Sequence, residues 1–124
     1  MKLKVAFCIS VLALALSGAA AAKNACLVES NLMGEKIKDC SETSLPVSAA
    51  EFKSQCLQNA EALKSMGGTA TATVLPACPA KAQASCDGLL GRKVSAYYYA
   101  RSAQSLADAK KGCLAQRGKW TDKP

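Results

Sequence analysis

The chain has 124 residues, half of them hydrophobic, with 16 Lys and Arg against 9 Asp and Glu and no histidine. That length bounds the answer to one domain plus a short extension. The lack of histidine excludes mixed Cys/His zinc sites and every acid–base scheme that uses an imidazole.

At the amino terminus Lys2 and Lys4 precede the apolar run Val5 to Leu16, and the small residues Ser17, Gly18 and Ala19 to Ala22 follow. This charged, apolar, small-residue order is that of a secretory signal peptide, cut after Ala22. A membrane anchor is the alternative, but the alanine-rich end offers cleavage sites and little drive to stay in a bilayer. Leu16-Ser17-Gly18-Ala19 is close to a lipobox, yet Ala19 stands where the lipidated cysteine would be. The expectation is therefore residues 1–22 as a cleavable signal and 23–124 as one domain, periplasmic or secreted, with no membrane anchor.

Cleavage removes Cys8 and leaves Cys26, Cys40, Cys56, Cys78, Cys86 and Cys113. An even count in a small exported domain reads as a disulfide framework. No Cys-x-x-Cys pair occurs, so a thioredoxin-like motif or a thiolate metal site is not indicated, and neither metal nor cofactor is expected. Short spacing favours a Cys78–Cys86 bridge across a seven-residue loop. Cys56 with Cys113, and Cys26 with Cys40, would complete the set. The mature chain keeps 14 basic residues against 9 acidic, a net charge of +5. Its charges are scattered, which suits plain solubility, or attraction to anionic polymers, better than specific recognition of nucleic acid.

In chain order, residues 26–40 read as a β-hairpin, with Asn31 and Gly34 between Cys26-Leu27-Val28 and Lys36-Ile37-Lys38. Ser48-Ala49-Ala50-Glu51 is a capping box, and Phe52, Cys56, Asn59/Ala60, Leu63 and Met66 follow at helical spacing up to Gly67-Gly68. This predicts a helix over 49–66 with Cys56 on its buried stripe. Residues 69–75 alternate Thr69, Thr71 and Thr73 with Ala70, Ala72 and Val74, as a half-buried strand does, and Pro76 ends it. In a second alternating run Val94, Ala96 and Tyr98 share one face, and Lys93, Ser95, Tyr97 and Tyr99 the other. A final helix opens at Ser105, with Asp108 as capping partner, and runs to Gly118; Trp120 packs back on the domain. The order is β-β-α-β-β-α, a small α+β fold with two helices on one face of an antiparallel sheet. No internal repeat is evident.

Chemistry is sparsely provided. The carboxylates are scattered, Glu51 and Asp108 have capping explanations, and no nucleophile elbow, phosphate loop or dinucleotide fingerprint is present. No catalytic residue is expected. A small secreted enzyme or toxin would have to rest on groups such as Asp39 and Asp87. The most interesting surface is the helix-free face, where Lys93, Tyr97, Tyr99, Thr71 and Thr73 would form a partner-binding patch if the threonine strand paired beside the tyrosines. Equally, cross-strand Tyr and Thr contacts stabilise a sheet without binding anything. Trp120 and the Lys110-Lys111 pair read as core and as solvated helix surface.

Cys78-Pro79 to Cys86, Tyr97-Tyr98-Tyr99, Cys113 and Trp120 together resemble a pattern in small exported or lipoprotein-like bacterial proteins without an assigned activity. Those proteins share a Cys-x7-Cys pair, a tyrosine-rich strand, and a last helix with Cys followed by Gly-x-Trp. The likeness covers the carboxyl half and departs at Arg117-Gly118-Lys119-Trp120, where Gly-Gly-x-Trp is more usual. It implies a disulfide-bonded exported domain and supplies no catalytic residue. The functional expectation is a non-enzymatic protein-binding or accessory module of the bacterial envelope, in the format of inhibitors and immunity proteins. A basic chain disfavours a basic lysozyme as target. The alternative is a cationic binder of anionic envelope polymers, lipopolysaccharide or cell-wall glycan.

Overall fold

A computed structural model describes residues 24–124. The signal-peptide reading of 1–22 lies outside the described residues. Strands β1 (Asn24–Leu32) and β2 (Glu35–Thr43) form a hairpin, followed by helix α1 (Ala49–Ser65) and strand β3 (Thr69–Leu75). The short β4 (Ala84–Asp87), then β5 (Val94–Tyr98), helix α2 (Ala103–Ala115) and β6 (Lys119–Asp122) complete the chain. The α+β architecture and its β-β-α-β-β-α order are those expected from the sequence, with β4 and β6 added as short strands. All strand pairs are antiparallel, and the sheet order is β3-β1-β2-β5-β4-β6.

Local chemistry explains the boundaries. The hairpin turns at Met33 and Gly34, both with positive φ (54° and 80°), which matches the twist of the flanking strands. Ser48 caps α1 by accepting from the Glu51 amide at 3.1 Å, and Gly67 closes it with φ 90°. The cap of α2 is Ser102, which accepts from the Ser105 amide at 3.1 Å. The helix therefore starts one turn earlier than the Ser105–Asp108 pair suggests; Asp108 instead accepts from the Gln104 side chain.

One row of residues crosses the whole sheet: Val74, Cys26, Ser41, Ala96, Cys86 and Trp120. Cys26 is bonded to Cys56 of α1 and Cys86 to Cys113 of α2, so both helices lie on one face. The row also reveals a doubled arrangement that the sequence does not announce. Each half runs β-β-α-β, its first strand sits between the second and third, and the halves meet at β2 and β5. Likeness of order and pairing survives here with few shared residues: the two strand–helix bridges, the Ser48 and Ser102 caps, and Gly68 and Gly118 after each helix.

The third bridge joins Cys40 to Cys78. All three pairings differ from those expected. Cys78 and Cys86, close in sequence, lie on opposite faces, because Cys86 points to the helices while Cys40 and Cys78 belong to the helix-free side. Cys56 and Cys113 cannot meet, since β2 and β5 separate the strands that carry their helices.

Residues 76–83 lead from β3, at one end of the sheet, to β4, next to the other. They cross the helix-free face as a strap, held by Cys40–Cys78, by the Cys78 amide donating to the Glu42 carboxylate at 2.9 Å, and by the Tyr99 hydroxyl donating to the Pro79 carbonyl at 2.6 Å. The protein thus has a small apolar cluster on each face. Cys26, Phe52 and Cys56 pack with Val28 and Ala72 under α1; Ala25, Leu27 and Cys40 pack with Leu75, Cys78, Tyr97 and Tyr99 under the strap. Burial of Phe52 contributes about 1.5–3 kcal/mol. The largest fully buried side chains are Cys40, Cys56, Cys86 and Ser85, so cross-links replace bulk in this core. Three disulfides mark a protein that folds in oxidising surroundings, outside the cytoplasm. Among the described residues no helix is long and apolar enough to cross a membrane.

Candidate functional site

The residues singled out from the sequence do share a face, but not a patch. Thr73, Leu27, Cys40 and Tyr97 are successive neighbours across the sheet, so two strands stand between the threonines and the tyrosines. The condition for a joint patch, the threonine strand paired beside the tyrosine strand, is not met: the β1–β2 hairpin inserts between them. Thr71 and Thr73 are exposed, whereas Tyr97 and Tyr99 are half-buried beneath the strap. Burial, with Tyr97 and Glu42 nearby, pushes the Tyr99 hydroxyl up to about 12. Lys38 stands 5.7 Å from the centre of the Tyr99 ring. Lys93 is exposed just before β5, and its carbonyl accepts from the Ser44 amide at 3.2 Å. Tyr99 therefore holds the strap, and Tyr97 packs on the apolar cluster beneath it.

A more concave surface lies on the other face, between the helices. α1 packs on β1 and β3 and α2 on β4 and β6, which leaves β2 and β5 as the floor of a groove. Two adjoining cavities, about 450 and 340 Å³, share Cys26, Ser41 and Asn59. Ser41 and Ala96, small neighbours at the centre of the cross-sheet row, give the groove its depth. Phe52, Leu45 and Val94 supply apolar wall at one end, beside the amides of Gln55 and Asn59 one turn apart on α1. The other end contains Arg101, whose Nε donates to Asp39 at 3.1 Å and whose terminal nitrogens bond Asp39 and Ser105. The guanidinium lies 5.3 Å from the centre of the Tyr98 ring, which stacks on Trp120 at 5.6 Å. The Asp39 carboxylate holds the Arg101 guanidinium above its already high ordinary value. Burial, with the Asp39 charge, likewise raises the Tyr98 hydroxyl.

Asp39 is thereby committed to an ion pair, and Asp87 sits 3.5 Å from the Ser85 hydroxyl. The six cysteines of the domain are consumed in bridges. What the groove offers is apolar contact flanked by neutral hydrogen-bonding amides. Sequence reasoning passed over it, although Asn59, a polar residue beside the buried stripe of α1 at Ala60, was the signal that could have located it. A second, shallower depression of about 690 Å³ has Glu29, Lys36, Lys38 and Lys64 along its lining, with Lys64 ion-paired to Glu61 at 2.9 Å.

Comparison with protein-family descriptions, curated protein sequences and solved structures finds no match for this chain.

Proposed function

We propose that the protein is a non-enzymatic protein-binding or accessory module of the bacterial envelope, released into the periplasm or the medium after loss of residues 1–22, and that its partner docks in the groove between α1 and α2. The observation that carries this reading is the groove itself. It is a rigid concavity whose floor is sheet and whose α1 wall is tied to that floor by Cys26–Cys56, lined by apolar side chains with the Gln55 and Asn59 amides at its rim. A partner inserting an extended segment with an apolar side chain would find both kinds of contact there. The net positive charge favours a neutral or acidic partner through steering and disfavours a basic one.

Intact mass of the exported protein, before and after reduction and alkylation, comes first. Loss of 22 residues with six thiols appearing only on reduction supports export and oxidation; a retained leader or thiols reactive without reduction overturns that part. Affinity capture from an envelope fraction then separates the surfaces. A groove partner remains bound at high salt and is lost with Asn59→Lys, while Thr71→Lys leaves it in place; retention by Asn59→Lys overturns the groove.

A second reading is favoured by Lys36 and Lys38, which share the helix-free face of β2 and suit an anionic envelope polymer such as lipopolysaccharide or a cell-wall glycan. That binding falls steeply with ionic strength and with Lys36→Glu/Lys38→Glu, and is indifferent to Asn59→Lys.

A further inference from the structure

β3 and β6 end the sheet and are equivalents in the two halves, yet their edges are built differently. β6 is four residues long and carries Lys119 and Asp122. Short length and charge are among the means by which edge strands avoid pairing with other chains. β3 is seven residues long, from Thr69 to Leu75, carries no charged residue, and is followed by Pro76. Among the described residues no strand pairs with its outer side. Val74, on the helix side of that edge, is 40% exposed, and Leu57 of α1 is 46% exposed. At about 100° per residue Leu57 points away from the groove that Gln55 and Asn59 line, towards the outer side of β3.

We infer that β3 is a self-association edge: a second copy of this chain docks on it by antiparallel β3–β3 pairing, giving a two-fold dimer with one continuous sheet. The inference stands independently of the groove and its partner. A two-fold axis through a residue near the middle of β3 pairs threonines with threonines on the helix-free face and Ala70, Ala72 and Val74 with their counterparts on the helix side. The side-chain parity of the edge is thus self-complementary. Because α1 packs on both β1 and β3, the two α1 helices come to stand about two strand spacings apart, roughly 10 Å, which is the distance of packed helices. The outer flank of α1 reads Lys53, Leu57, Glu61, Lys64. Antiparallel apposition turns Lys53 of one copy towards the Glu61 of the other, which already pairs with its own Lys64 at 2.9 Å, and brings Leu57 and Val74 of both into the seam. Like net charge opposes association over the rest of the surface, and uncharged β3 is where that repulsion is weakest.

The test is sedimentation of the exported protein, bridges intact, from micromolar to submillimolar concentration, together with amide exchange over the same range. The expected result is a mass that doubles with concentration and amide protection that rises in 69–75 but not in 119–122. Leu57→Lys/Val74→Lys should raise the dimer dissociation constant about tenfold or more. A protein monomeric throughout, a dimer unmoved by the double substitution, or protection that rises on β6 instead overturns the inference. Should the double variant lose its native circular dichroism, exchange in the wild type decides: β3 amides indifferent to concentration overturn it.

Discussion

Cys26 and Cys86 occupy equivalent positions in the two halves of the sheet, each the third residue of its strand and each bonded to the helix that covers it. The enclosed segments span 30 and 27 residues, so loop closure assigns both bridges about 3.6 kcal/mol. Replacing either pair by alanine should therefore lower the urea-unfolding free energy by similar amounts, within about 1 kcal/mol of each other. A markedly larger loss for Cys26–Cys56 would show that the long first half, with its Phe52 cluster, carries the stability and that the halves are equivalent in form only.

The glycines near the second bridge make opposite predictions. A Cβ on Gly118 would lie 2.5 Å from the Cys86 sulfur and 2.7 Å from that of Cys113, neither of which can yield without opening the bridge or shifting a strand. Gly118→Ala should cost about 1–3 kcal/mol. Gly112, inside α2 with nothing within 4 Å of its would-be Cβ, wastes helix propensity. Gly112→Ala should stabilise by about 0.5–1 kcal/mol. Thermal unfolding of the two variants checks both signs, and a gain from Gly118→Ala would refute the close approach.

Arg101 ties the start of α2 to β2 and covers the Tyr98–Trp120 stack. The exposures of the Arg101 and Asp39 side chains are 23% and 28%, low enough for the ion pair to contribute. Arg101→Ala should cost about 1–3 kcal/mol. Arg101→Lys should recover less than half of that, since an ammonium cannot make the forked contact. Both should change the native Trp120 fluorescence. An unaltered spectrum with unaltered stability would reduce the contact to a surface pair.

Much of this fold is readable from the chain, and the failures have a common cause. Ser48 with Glu51 and the spacing of Phe52, Cys56 and Ala60 mark α1 because helix signals are local. The alternation of 94–98 puts Tyr98 with the helices and Tyr97 with the strap for the same reason. What the residues do not declare is which strand lies beside which. The hairpin between β3 and β5, the strap and the disulfide pairing all follow from sheet order, which depends on contacts far apart in sequence. β4, at four residues, is too short to show a period, and the doubled plan is invisible because it is a likeness of pairing rather than of side chains. The groove was missed for that reason: Ser41 and Ala96 become neighbours only when β2 pairs with β5.

The strap makes the last prediction, through Tyr99. Its hydroxyl, pushed up to about 12 in the folded protein against an ordinary value of 10, is held neutral because burial, with Tyr97 and Glu42 nearby, disfavours the phenolate. The folded state therefore holds its proton more tightly than the unfolded chain. Stability from this group is complete below about pH 10 and is lost as the pH rises towards about 12. Tyr98, also raised, adds in the same direction. Tyr99→Phe should lower stability at neutral pH by about 1 kcal/mol through the missing hydrogen bond, and should flatten the alkaline decline. Chemical denaturation of both proteins at neutral pH and in steps from 9 to 12, monitored by circular dichroism, measures the slopes. Parallel curves would mean that the Tyr99 hydroxyl is solvated and that Cys40–Cys78 and the Cys78–Glu42 hydrogen bond hold the strap to the sheet without it.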